Sequence, residues 1–115
     1  MQSYQLHITL KQPVTLQIGK LGLFEFPAGQ YIYTGSAKTN IQARVQRHLR
    51  CGKKMHWHID YLLAAPLAEI TAAELFEELE CALNQRTPGQ IIVRGFGSTD
   101  CRNGCGSHLK FLGTI

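Results

Sequence analysis

The apolar positions of this chain follow two periods, and the change from one to the other divides it. Ser3 to Leu10 alternates, with Tyr4, Leu6 and Ile8 on one face and Gln5, His7 and Thr9 on the other, which predicts a strand. Lys11-Gln12-Pro13 is a turn; Val14 to Ile18 and Leu21 to Phe26 read as two more strands, tightly joined at Gly19 and Gly22. Pro27-Ala28-Gly29 leads into a fourth, where Tyr31 and Tyr33 alternate with Ile32 until Gly35 breaks the pattern. The N-terminal third is therefore predicted to be a small antiparallel sheet built of hairpins.

From Asn40, a plausible N-cap, the period becomes helical. Ile41, Val45 and Leu49 form an apolar stripe that predicts a helix over about 40–50, with Arg44 and His48 beside it. His56 to Leu63 predicts a short helix ended by Pro66, on which His56 and Asp60, and Trp57 and Tyr61, are i,i+4 pairs. Leu67 to Ala72 reads as a strand. Glu74 to Arg86 reads as an amphipathic helix through Leu75, Phe76, Leu79, Ala82 and Leu83, closed by Pro88-Gly89. Ile91-Ile92-Val93 is expected to be a buried strand, Gly95 to Ser107 a loop and His108 to Leu112 a last strand. The expected architecture is a single α/β (α+β) domain over 1–115, with a mainly antiparallel sheet flanked by about three helices.

Composition narrows the class. The 115 residues, 44% hydrophobic and 17% charged, are enough for a hydrophobic core without disulfide or metal staples. No apolar run approaches the roughly 20 residues that span a bilayer, and Met1-Gln2-Ser3-Tyr4 lacks a signal-peptide shape, so a cytoplasmic setting is expected. There Cys51, Cys81, Cys101 and Cys105 are read as reduced thiols or metal ligands rather than a disulfide framework.

The net charge of +4 is unevenly placed. Lys38, Arg44, Arg47, Arg50, Lys53 and Lys54 make up six of the twelve cations, while five of the eight acids fall between Glu69 and Glu80. A concentrated basic segment suits nucleic acid, and a solvated helix face explains it equally well. The tyrosines are also explained as half-buried sheet residues, Arg44 as a surface cation and His48 as a cap on a carbonyl. His56, His58 and Asp60 fit a structural hydrogen bond, a substrate contact or metal ligation. Cys101, Cys105 and His108 have a spacing that zinc could use, with Cys81 as a fourth ligand in space, and also fit a tight loop of reduced thiols.

Tyr33-Thr34-Gly35, then Arg44, then Glu80 followed at +8 by Pro88 resemble the GIY-YIG nuclease superfamily, and in order with them stand Gly29 to Ala37, Arg47-His48-Leu49, His56 to Leu62, Glu80-Cys81, Phe96 to Cys101 and Ser107 to Leu109. They are most similar to a small branch of it sometimes fused to DNA-repair glycosylases. The resemblance implies a divalent-metal-dependent phosphodiester hydrolase, endonuclease-like, acting on DNA and connected with repair. It implies catalytic roles for Tyr4, with Tyr31 as the competing first tyrosine, and for Tyr33, Arg44 and Glu80; His48, one turn after Arg44, joins them as a catalytic candidate on its position and its titration range. Glu80 would hold Mg²⁺ or Mn²⁺; Lys38, Arg47, Arg50, Lys53, Lys54 and His58 would contact nucleic acid. The alternatives are a nucleic-acid-binding module without catalysis and a structural zinc-binding domain using Cys101, Cys105 and His108.

Overall fold

A computed structural model describes residues 2–99, 101 and 103–114. Four strands, β1 (Ser3–Leu10), β2 (Val14–Ile18), β3 (Gly22–Phe26) and β4 (Gly29–Ser36), precede α1 (Ile41–Leu49) and α2 (His58–Leu63). β5 (Ala68–Phe76), α3 (Glu80–Arg86) and β6 (Leu109–Gly113) complete the chain. The main sheet is antiparallel in the order β5-β1-β4-β6, and β2–β3 forms a separate two-stranded hairpin. The hairpin is thus an insertion between two strands that are themselves paired.

The register of β1 against β4 sets the site. Tyr4 lies opposite Gly35, Leu6 opposite Tyr33 and Ile8 opposite Tyr31. Directly paired residues point to the same side of a sheet, so all of these side chains share one face. That face is the core: Tyr4, Leu6, Ile8, Leu10, Tyr31 and Tyr33 cluster with Ile18, Phe26, Ile59, Leu62, Val93 and Phe96. On the other face Gln5 donates to Thr34 Oγ1 and Thr87 Oγ1, at 3.2 and 2.7 Å, tying α3 to the sheet. Lys110 Nζ donates to the carbonyls of Asn84 and Thr87 and so satisfies the free C-terminal end of α3.

The structure bears out the expected α+β class and most of its elements, including Asn40 as N-cap, whose side chain accepts from the Ala43 N–H. Three expectations are corrected. The predicted 74–86 helix begins only at Glu80, because Glu74, Leu75 and Phe76 are extended and pair with Gln5, Tyr4 and Ser3. Pairing with a neighbouring strand has overridden a helical spacing of leucines. The expected 91–93 strand is irregular, bending at Ile92 and Val93, with Val93 fully buried and, among the described residues, Gln90 alone of this segment bridging to Phe111. In α1 the stripe is rotated: His48 takes an interior place and Leu49 faces solvent.

β5 carries a register shift against β1 between His7 and Ile8. It is one of the two outer strands of the sheet.

Candidate active site and metal centre

Tyr4, Tyr33, Gly35, Ser36, Arg44, Trp57, Glu80 and Gly97 line a cleft of about 180 Å³ at the Ser36 end of β4. The pairing of β1 with β4 supplies both tyrosines, α1 supplies Arg44 and the first turn of α3 supplies Glu80. Gly35 is glycine for a steric reason: a methyl group there would overlap the Tyr4 ring and hydroxyl. The tyrosine of one strand lies over the backbone of the next.

Tyr4, Arg44 and Glu80 are each held by a named partner. The Tyr4 hydroxyl is 2.7 Å from His48 Nε2, and both side chains are buried. Burial pushes the Tyr4 phenol well above its ordinary value, with Arg44 pulling the other way. Burial also lowers His48 to about 4, although Asp60 pulls it up, so its ring is neutral at pH 7. His48 Nδ1 has no hydrogen-bond partner among the described residues. Tyr33 is raised by burial too, which keeps both tyrosines protonated.

Arg44 donates through Nη1 to the Ser36 carbonyl at 2.9 Å, and its guanidinium lies 4.5 Å from the centre of the Trp57 ring. Ser36 also donates its hydroxyl to Glu80 Oε1 at 2.7 Å. Glu80 Oε2 lies 2.8 Å from His108 Nδ1, an angled charge contact, since Nδ1 has no in-line hydrogen-bond partner among the described residues. Burial would raise the Glu80 carboxyl, but His108 and Ser36 outweigh it and keep the group ionised. His108 is shifted the other way: burial lowers it, and Glu80 and Cys105 more than compensate.

Beyond Glu80 lies a second constellation. One ligand atom from each of Cys81, Cys101, Cys105 and His108 can be chosen so that all four lie within 4.8 Å of one another. Cys81 Sγ is 3.5 Å from Cys101 Sγ and 4.0 Å from His108 Nε2. Tetrahedral Zn–S bonds of about 2.3 Å give edges of about 3.8 Å, so this donor set is close to the spacing a metal ion requires. The cysteines are free thiols, and the Asn103 N–H holds the Cys101 thiol below its ordinary value while burial pushes Cys81 up. The cluster can hold a metal ion.

The family model described as "Domain of unknown function DUF123" matches residues 3–114. The chain belongs to this family. No curated protein and no solved structure matches it.

In this DUF123 chain the basic segment separates into two groups. Lys38, Arg50 and Lys54 are exposed, and Lys38 also lines a larger concavity of about 690 Å³ that shares Ser36 and Glu80 with the cleft. The other three expected nucleic-acid contacts are occupied within the fold. Arg47 makes a two-pronged ion pair with the fully buried Asp60, at 3.0 and 3.1 Å, and lies over Trp57. Lys53 Nζ donates to the carbonyls of His48 and Arg50 at the end of α1. His58 Nδ1 accepts from the Gly97 N–H, pinning the cleft wall to α2. The competing Tyr31 donates to the Pro27 carbonyl and is not among the residues lining the cleft.

Sequence reasoning missed Ser36 and the place of Trp57 in the cleft wall, whereas the packing of Trp57 and the structural i,i+4 hydrogen bond between His56 and Asp60 are both present. Ser36 links Glu80 to Arg44, a role that no spacing signals. The Asp60 carboxylate accepts from the backbone N–H groups of His56 and Trp57 and from Arg47, rather than from the His56 ring. Asp100, part of the Phe96–Cys101 motif, and Arg102 lie outside the described residues.

Proposed function

We propose that the chain is a phosphodiester hydrolase of the GIY-YIG type, endonuclease-like and divalent-metal-dependent, acting on DNA in repair. One observation carries the reading: Tyr4, Tyr33, Arg44 and Glu80, drawn from four separate elements, line a single small cleft. Mg²⁺ or Mn²⁺ at Glu80 would neutralise phosphate charge and polarise the reacting oxygens. The carboxylate suits such an ion: each oxygen keeps a lone pair beyond its contact with Ser36 or His108, and Mg²⁺ commonly takes only one or two carboxylates.

The remaining steps belong to the chain's own side chains. Arg44 spends one donor on Ser36 and keeps the rest of its planar fork for phosphate oxygens. With the His48 proton on Nδ1, Nε2 accepts the Tyr4 O–H and the phenol oxygen turns its lone pairs into the cleft. Tyr4 then orients a water as an acceptor while remaining protonated, in keeping with its raised pKa. Lys38, Arg50 and Lys54 are the exposed cations for the DNA backbone.

Zinc is our choice for the Cys81, Cys101, Cys105 and His108 donors, because three thiolates and an imidazole suit its borderline softness and tetrahedral preference. Such a centre is closed and structural. A second reading, a nucleic-acid-binding module without catalysis, is favoured by the fact that both Glu80 oxygens already have partners within the fold.

The test is cleavage of labelled single-stranded, duplex and branched DNA and RNA with Mg²⁺ or Mn²⁺, comparing wild type with Arg44→Ala and Tyr4→Phe. The expected result is metal-dependent cutting of DNA that falls by about 100-fold or more in each variant. Salt-sensitive binding with no cutting replaces this reading with the second. Equal cutting by all three proteins moves the site elsewhere.

A further inference from the structure

His108 stands between the two constellations. It is 3% exposed, its Nε2 faces Cys81 Sγ and its Nδ1 faces Glu80 Oε2. Its backbone is fixed on both sides, the N–H donating to the Phe96 carbonyl at 2.9 Å and the carbonyl accepting from Thr34 at 3.0 Å. The ring therefore has one nitrogen for the sulfur cluster and one for the carboxylate.

We propose that Glu80 is the outer-sphere carboxylate of a zinc centre made by Cys81, Cys101, Cys105 and His108, so that loading this centre fixes the geometry of the cleft. Nε2 coordination requires a neutral ring with its proton on Nδ1, the nitrogen that faces Glu80. A metal at Nε2 thereby fixes Nδ1 as an N–H donor facing Glu80, and the carboxylate that turns to accept from it is held in one orientation. From there the connection is continuous. Glu80 Oε1 accepts from Ser36 Oγ, the Ser36 carbonyl accepts from Arg44, and Arg44 lies over Trp57.

Two features of the sequence make this economical. Glu80 and Cys81 are consecutive in the first turn of α3, so the outer-sphere acid and one ligand move as a unit. Cys101, Cys105 and His108 lie on or just after the loop that also contains Gly97, a wall of the cleft. Closing the four donors on one ion ties that loop to α3. In this scheme Glu80 is a positioning residue for the zinc centre. Its action on the cleft's chemistry rests on the hydrolase reading above; its action on metal affinity does not.

The experiment uses the whole chain, freed of metal and titrated with Zn²⁺ against a chromophoric chelator, and separately with Co²⁺, whose thiolate charge-transfer bands report the ligand set. Trp57 is the single tryptophan and lines the cleft, so its fluorescence reports the far end of the connection in the same titration. Wild type is expected to bind one ion with a tetrahedral thiolate spectrum and to change its Trp57 emission at the same stoichiometry.

Glu80→Gln is expected to keep the Co²⁺ bands but bind about 10-fold to 100-fold more weakly. Glu80→Asp, which keeps the charge and shortens the reach, applies the same test if Glu80→Gln folds poorly, and is expected to lose affinity in the same direction. Ser36→Ala is expected to leave affinity within a few-fold and to abolish the Trp57 response. Unchanged affinity in both Glu80 variants overturns the proposal, and so does a wild type without thiolate bands. Weakened affinity in a protein that cuts no nucleic acid upholds it while removing the hydrolase reading.

Discussion

Tyr4 and His48, 44 residues apart in sequence, share a buried hydrogen bond of 2.7 Å that fastens the first strand to the basic helix. The bond places a neutral imidazole where the apolar stripe of α1 would otherwise put a hydrocarbon. Its cost appears only when the ring is asked to charge.

Stability should therefore fall on the acid side. His48 is held near 4 chiefly by burial, against 6.5 ordinarily, with Arg47, Lys53 and Arg44 adding to the effect and Asp60 opposing it. The unfolded chain then binds the proton first, so the penalty is absent above about pH 6.5 and grows as pH falls toward 4, reaching about 3 kcal/mol. His48→Gln keeps a hydrogen-bonding side chain without the titration. Urea midpoints at pH 7.5, 6 and 5 should fall more steeply in wild type than in the variant, because acid effects on carboxylates and thiols are common to both. Parallel slopes would remove His48 as the source.

Arg47 and Lys54 should separate stability from binding. Arg47→Ala leaves the Asp60 charge buried with only backbone donors, and should cost about 3 kcal/mol in denaturant titrations. Lys54 is exposed, and Lys54→Ala should stay within about 0.5 kcal/mol of wild type. For DNA affinity the order reverses. If the exposed cations contact phosphate, Lys54→Ala lowers the dependence of log affinity on log salt by about 1, and Arg47→Ala leaves it unchanged once folded protein is matched. A salt slope that drops with Arg47 instead would mean that its pairing with Asp60 opens on binding.

Gly35→Ala should disturb the cleft out of proportion to one methyl group. The new carbon overlaps the Tyr4 ring and hydroxyl, so the strand or the ring must move, at a cost of about 1–3 kcal/mol. Combining it with Tyr4→Leu, which withdraws the ring, should cost less than the sum of the two single changes. Strict additivity in thermal unfolding would show that the overlap is relieved elsewhere.

Much of this was legible because short-range patterns dominate here. The alternation of Tyr4, Leu6 and Ile8 fixed a core face, and Asn40 announced α1 through its own side-chain cap. The set Tyr4, Tyr33, Arg44 and Glu80 came from the resemblance of ordered motifs and from no local spacing; antiparallel pairing of β1 with β4 accounts only for the nearness of Tyr4 to Gly35. Leu75, Phe76 and Leu79 misled because a run of leucines at helical spacing also fits an extended strand followed by a helix, and only the pairing partner decides. Arg47 looked like Arg44 on paper. What distinguishes them is Asp60, which lies 13 residues beyond Arg47 and meets it only in the folded chain. Ser36 gave no signal, because a serine that bridges two elements has the same letter as one in any loop.

The register shift in β5 has a further consequence for the molecule among its own copies. An outer strand offers unpaired backbone groups to any passing chain, and continuous, flat edges invite stacking. Here the shift between His7 and Ile8 interrupts that ladder, and Glu69 and Glu74 place two carboxylates along the same strand. Two molecules approaching edge to edge would meet mismatched spacing, while Glu69 and Glu74 are already engaged by Lys11 and His7. The one extra residue that breaks the register thus also makes the outer strand a poor template for a second chain.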